Sequence, residues 1–160
     1  MSQSMGAPIL LLEDERSTAS LIIQLIAGAC IANPVEWLDG GGNAIAYLDR
    51  SVAEPALRPV LCVLDLSLPD VSGLEVLTHI RSEPALADLP VIMLSGSGED
   101  ADIEAAYTIG IDAYLVKPAG VHGLPDVIRE LNLSYQLQPR SKPSSACRPA
   151  SARRSWCSRC

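Results

Sequence analysis

Five short apolar runs, each handing over to a segment with helical spacing or a helix-starting signal, constrain this chain more than any single residue. They cover residues 8–12, 35–38, 60–64, 91–94 and 113–116. Runs this short, rich in Leu, Ile and Val, read as strands buried on both faces. Strand and helix then alternate five times. That pattern implies right-handed βαβ units, one parallel sheet and helices on both of its faces.

The intervening segments fit. After residues 8–12, Ser17 or Thr18 can cap a helix whose apolar positions Ile22, Leu25, Ile26 and Ala29 fall at i, i+3, i+4 and i+7. Asn33-Pro34 is its expected stop. Asn43 can cap a second helix running through Arg50, and residues 51–59, with two prolines, read as a loop. Ser72-Gly73-Leu74-Glu75 has the capping-box pattern and opens a third helix, with Leu74, Leu77 and Ile80 inward. Residues 84–90 form a loop. Residues 100–109 form a fourth helix closed by Gly110. Leu124, Val127, Ile128, Leu131 and Tyr135 mark a fifth, in which Pro125 is tolerable in the first turn alone.

Parallel strands deliver their carboxyl ends to one edge, where open α/β folds place ligands. Here those ends carry Glu13 and Asp14, Asp65, Ser95, and Lys117. Three carboxylates at one edge repel one another. A hard cation with oxygen ligands relieves this, and Mg²⁺ suits a few carboxylates plus phosphate oxygens. Lys117 is a compact positive charge for an anionic oxygen, and Ser95 is a hydroxyl donor. Together they outline a pocket for a phosphoryl group carried by Asp65, since an aspartate nucleophile can form an acyl phosphate.

Four stretches, in order, carry a family resemblance. They are Glu13-Asp14, Leu64-Asp65-Leu66-Ser67-Leu68-Pro69-Asp70-Val71-Ser72-Gly73, Leu94-Ser95-Gly96 and Tyr114-Leu115-Val116-Lys117-Pro118. Over residues 8–133 the chain resembles the receiver domain of bacterial two-component response regulators. The resemblance implies a flavodoxin-like (βα)5 fold with a five-stranded parallel sheet in order 2-1-3-4-5. It implies that Asp65 accepts a phosphoryl group from a sensor histidine kinase, and that the chain is not an enzyme in the turnover sense. Glu13, Asp14, Asp65 and the backbone carbonyl of Ser67 would hold Mg²⁺. Ser95 and Lys117 would bind phosphoryl oxygens, and Tyr114 would swing inward as Ser95 moves. The Lys117-Pro118 bond is expected cis. The loop at residues 84–90 is similar to that of regulators paired with phytochrome kinases. No output domain follows in this sequence, so the signal is expected to leave through the receiver's own surface, and the helix 4–strand 5–helix 5 face could form a homodimer.

The sequence also departs from the family pattern. Glu13 stands where Asp is commoner, which lengthens that arm. Ser67 and Ser97, two residues after Asp65 and Ser95, offer no acid or amide to orient an attacking water. A competing motif is Gly96-Ser97-Gly98-Glu99-Asp100-Ala101, which matches a dinucleotide-binding loop and makes a nucleotide-binding α/β enzyme the alternative. It falls in the fourth βα unit, and Asp100 at the helix start would repel a pyrophosphate. Taken singly, Glu13-Asp14-Glu15 reads as a solvated turn and Lys117-Pro118 as a surface turn. Cys30 and Cys62 read as small core residues.

Bulk properties set the frame. Residues 1–138 hold 6 Lys and Arg and all 19 Asp and Glu, a net −13, while residues 139–160 hold six basic residues and no acid. An acidic body disfavours direct DNA binding. No run is dry enough to span a membrane, the N-terminus lacks a signal peptide's basic start, and the five Cys have no framework spacing, so a cytoplasmic location is expected. Residues 1–7 are read as a flexible N-terminus, 8–138 as the domain and 139–160 as a disordered basic tail.

Overall fold

The computed structural model describes residues 6–131. Five strands form one parallel sheet: β1 (Ile9–Leu12), β2 (Val35–Leu38), β3 (Leu61–Asp65), β4 (Val91–Ser95) and β5 (Ala113–Val116), in spatial order β2-β1-β3-β4-β5. Five α-helices join them: α1 (Arg16–Gly28), α2 (Gly41–Ala53), α3 (Gly73–Ser82), α4 (Asp100–Ile109) and α5 (Leu124–Glu130). Alternation and order agree with the expected (βα)5 arrangement.

Strand side chains alternate between two cores, as a pleated strand requires. Ile9, Leu11, Leu61, Val63, Ile92 and Leu94 face Ile22 and Ile26 of α1 and Leu124 and Ile128 of α5. Leu10, Leu12, Cys62, Leu64, Val91 and Met93 face Leu48 of α2, Leu77 and Ile80 of α3 and Ala106 of α4. β1, β3 and β4 are buried along their whole length because helices cover both sheet faces. Cys62 lies in this core as expected, and burial pushes its thiol pKa up. Cys30 is half-buried instead, just past α1, in a left-handed conformation (φ 64). That turn ends α1 at Gly28, ahead of the expected Asn33-Pro34 stop.

Several helix starts differ from expectation. Glu15, not Ser17 or Thr18, precedes α1, and both hydroxyls donate to the Glu15 carboxylate (2.6 and 2.9 Å). α2 begins at Gly41, before Asn43, and extends past Arg50 to Ala53, followed by a 3₁₀ turn over Pro55–Leu57. A second 3₁₀ turn, Ala119–Gly123, leads into α5. By contrast, the capping box stands: Glu75 N–H donates to Ser72 Oγ (3.2 Å), and Ser72 N–H to Glu75 Oε2 (2.9 Å). Pro125 sits in the first turn of α5. Gly110 closes α4 at φ 124, a conformation side chains disfavour.

Ala7, placed in the flexible terminus on sequence grounds, accepts a hydrogen bond from Asn33 Nδ2 (2.7 Å). Tyr135 and the basic tail lie outside the described residues. Among the described residues no helix is long and apolar enough to cross a membrane.

Candidate functional site: an acidic pocket bridged by a lysine

Each strand of the central pair delivers an acid to the carboxyl edge of the sheet. β1 ends at Leu12, so Glu13 is the first residue beyond it, and Asp65 is the last residue of β3. Because β1 and β3 run in register (Leu12 opposite Leu64), these groups emerge side by side. Carboxylate oxygens of Glu13, Asp14 and Asp65 lie within 4.8 Å of one another. Glu13 and Asp65 are buried, whereas Asp14 is exposed. Three oxygen donors in this space, two of them shielded from water, fit a hard divalent cation.

Lys117 enters from the far side. β5 delivers it one residue past Val116, and its backbone N–H is tied to the Ser95 carbonyl (2.7 Å). Its Nζ donates to Glu13 Oε2 (2.6 Å) and to Asp65 Oδ2 (3.0 Å). The Lys117-Pro118 peptide is cis, as expected. Both remaining oxygens are also held: Glu13 Oε1 accepts from Glu15 N–H (3.1 Å) and Asp65 Oδ1 from Ser67 N–H (3.1 Å). Burial raises the Glu13 pKa, with Lys117 and the Glu15 amide pulling it back. Burial opposes the Lys117 charge, but its bonds to Glu13 and Asp65 outweigh this and leave its pKa raised. The ammonium therefore neutralises a pair of acids that would otherwise be costly to ionise together.

Ser95 ends β4 beside β3 and is fully buried. Its Oγ accepts from Ser97 N–H (3.0 Å). Ser97 in turn donates its hydroxyl to Asp102 (2.5 Å), and its carbonyl accepts the Tyr114 hydroxyl (2.8 Å). Tyr114 is thus half-buried and tethered to the loop that carries Ser95. The same bonds count against the dinucleotide reading. Ser97 N–H and Glu99 N–H are both turned to side chains, and Asp100 and Asp102 open α4.

Three contacts escaped the sequence reading. Asp70, in the loop after Asp65, caps α2: its oxygens accept from Gly41 N–H and Gly42 N–H (2.9 Å each). Those amides hold the Asp70 carboxyl below its ordinary pKa. A Cβ at Gly42 would fall 2.8 Å from the Asp70 carboxylate, so glycine permits this approach. Trp37 Nε1 donates to the Glu13 carbonyl (2.7 Å). Arg81 of α3 donates to the Ala87 and Leu89 carbonyls of the α3–β4 loop and to the Gly110 carbonyl and Asp112 carboxylate beyond α4. The Asp70 spacing after Asp65 was visible, but nothing local named α2 as its target.

A parallel sheet in order 2-1-3-4-5 whose carboxyl edge gathers three acids and a lysine places the chain in the flavodoxin-like class of α/β proteins. The chain belongs to the response regulator receiver domain family, whose model matches residues 9–129. It is a response regulator of two-component signalling, and in that family an aspartate is the phosphoacceptor. It is 34% identical over 138 residues to the probable methanogenesis regulatory protein FilR2 of Methanothrix harundinacea, covering 86% of this chain and 88% of that one. It is 30% identical to the response regulator Rcp1 of Synechocystis sp., covering 91% of this chain and all of Rcp1. Rcp1 has a solved Mn²⁺-bound form, which superposes with TM-score 0.68 at 28% identity over 84% of this chain and 99% of that one. The bacteriophytochrome response regulator RtBRR superposes with TM-score 0.74 at 33% identity, over 89% of this chain and 86% of that one.

Asp70→Ala is expected to lower the thermal unfolding midpoint at neutral pH, because α2 loses its only side-chain cap among the described residues. A carboxyl whose folded pKa is depressed stabilises above its ordinary value, and that contribution fades as pH falls through the folded value. Unfolding curves for wild type and variant should therefore converge in strong acid. A gap between them that stays constant across the pH series would contradict a charged cap.

Proposed function

We propose that Asp65 accepts a phosphoryl group from a phosphohistidine on a sensor histidine kinase, with Mg²⁺ held by Glu13, Asp14, Asp65 and the backbone carbonyl of Ser67. One observation carries this reading: Asp65 sits between two further acids and the Lys117 ammonium, with its two oxygens held by different donors. An Asp65 oxygen attacks phosphorus and the P–N bond to the imidazole breaks. The electron pair stays on the imidazole nitrogen, which takes up a proton, and the product is an acyl phosphate. Mg²⁺ would neutralise charge shared by the carboxylates and phosphoryl oxygens. Lys117 then exchanges its Asp65 contact for a phosphoryl oxygen, and Ser95 presents its hydroxyl to another.

Ser95 is already hydrogen-bonded to Ser97, and Ser97 to Tyr114, so a shift of Ser95 reaches β5 through two bonds. Tyr114 moves inward as that chain loosens. The surface affected is α4, β5 and α5, where Tyr107 and Val116 are 52% and 38% exposed. This surface is our candidate for a homodimer, formed when the phosphoryl group is present. The likeness to RtBRR supports a bacteriophytochrome-type kinase as the donor, and we place the protein in the cytoplasm with that partner. We assign residues 8–138 to the working domain.

Phosphotransfer from candidate kinases of the same organism tests the assignment. Asp65→Asn should abolish labelling and leave the circular dichroism spectrum unchanged, because the two side chains have nearly one shape; labelling that persists would move the acceptor elsewhere. The acyl phosphate should be long-lived, because the Ser97 hydroxyl is committed to Asp102 and Ser67 has no acid or amide group to orient water. Loss of label within seconds in a single-turnover chase would refute that. Light scattering should report a mass increase on addition of phosphodonor, and a monomer under both conditions at high concentration would remove the dimer.

A further inference from the structure

The backbone of Glu13 is gripped from the β2 edge of the sheet on both sides. Its N–H donates to the Leu38 carbonyl (3.1 Å), the last residue of β2. Any residue at position 38 could supply that carbonyl. Its own carbonyl is different: it accepts the indole N–H of Trp37 at 2.7 Å, a bond that needs a side chain carrying a donor. The Glu13 carbonyl belongs to the peptide joining Glu13 to Asp14. Pinning it therefore fixes the direction in which both acids leave β1.

The indole is itself held. Trp37 is half-buried and packs on the α1/α5 core. The Arg16 guanidinium, at the first position of α1, stands 5.9 Å from the ring centroid. That distance is within cation–π range. A buried indole normally finds an acceptor, and here the acceptor is the backbone between two cation-facing carboxylates.

We propose that Trp37 is a positioning residue for the cation pocket, acting through the Glu13–Asp14 peptide. It touches no cation or phosphoryl group. It sets the geometry in which Glu13 and Asp14 meet Asp65. Outer partners of metal-binding groups commonly control affinity by about 10- to 100-fold. The longer Glu13 arm makes this brace more important, because a freed Glu13 has more rotamers in which it misses the site.

The inference rests on the cation reading above, and Trp37→Phe tests it, keeping the aromatic packing and deleting the donor. Mn²⁺ affinity, read by electron paramagnetic resonance, should weaken about tenfold. The labelling rate with acetyl phosphate at saturating Mn²⁺ should stay within about twofold of wild type, since the reacting groups are intact. An affinity within about twofold of wild type, or an equal loss in affinity and in saturated rate, would overturn the role of Trp37. A wild type that binds no Mn²⁺ would overturn the cation reading itself.

A second measurement covers the case in which the variant does not fold. The chain has two Trp, so Trp156→Phe leaves Trp37 as its sole indole. Mg²⁺ titration of that protein should change the Trp37 emission, with the midpoint found by calorimetry. Emission that stays flat while calorimetry records binding would show that the indole and the pocket are uncoupled.

Discussion

The structure of the site depends on one cation, the ammonium of Lys117, standing between Glu13 and Asp65. Two acids, 1% and 5% exposed, are held together at the edge of a sheet whose strands are otherwise apolar. Burying one such carboxylate is costly, and burying two side by side is more so. Lys117 offsets that cost across a span of 104 residues to Glu13 and 52 to Asp65. It thereby fastens β5, at the sheet's margin, to the central strands β1 and β3. The same arrangement leaves the acids ready to be re-partnered. A divalent cation could replace part of what the ammonium supplies, and under the proposed function a phosphoryl group on Asp65 would draw the ammonium away from the acids.

Around this centre, supports arrive from both margins of the sheet. On the β2 side, Leu38 and Trp37 grip the Glu13 backbone, and Asp70 ties the loop after Asp65 to the N-terminus of α2. On the β5 side, Ser95, Ser97 and Tyr114 form a chain of hydrogen bonds. Gly73 marks how tightly the pieces fit. A Cβ there would collide with the Asp65 carbonyl oxygen and come within 2.9 Å of the Leu66 Cα. Both are backbone atoms, so the end of β3 and the loop after it could not simply step aside. The β2-side contacts hold polar groups against backbone and favour rigidity. The β5-side contacts run through hydroxyls, which exchange partners at small cost.

The acids and Lys117 were legible in the sequence because each follows an apolar run directly, and a parallel sheet sends all such ends to one edge. Burial of the strands on both faces was legible in their unbroken apolar runs, whereas which residues face which core was not. The order of strands was not a local property, and it came from the family resemblance. Helix starts were the weakest element. Ser17, Thr18 and Asn43 all have capping chemistry, but α1 starts after Glu15 without a side-chain cap and Asp70 caps α2. Asp70 acts on amides 28 and 29 residues away, and Trp37 on a carbonyl 24 residues away. A sequence read through local spacing has no access to such pairs. Arg81, reaching Gly110 and Asp112, was missed on the same grounds.

The serine positions separate capture of a phosphoryl group from its release. In the proposed reaction capture needs positive charge and a positioned carboxylate, and Asp65 with Lys117 offers both. Release needs a water aimed at phosphorus, and so a group beside the site that can hold it. Ser67 has only its hydroxyl to offer, and that of Ser97 is already given to Asp102. Because Ser97 also accepts from Tyr114, the residue that fails to aim water is the one that links Ser95 to the outer face. Under the proposed phosphotransfer, a slow clock would follow from the Ser97 hydroxyl being committed to Asp102, and the coupling to β5 from the Ser97 backbone N–H and carbonyl.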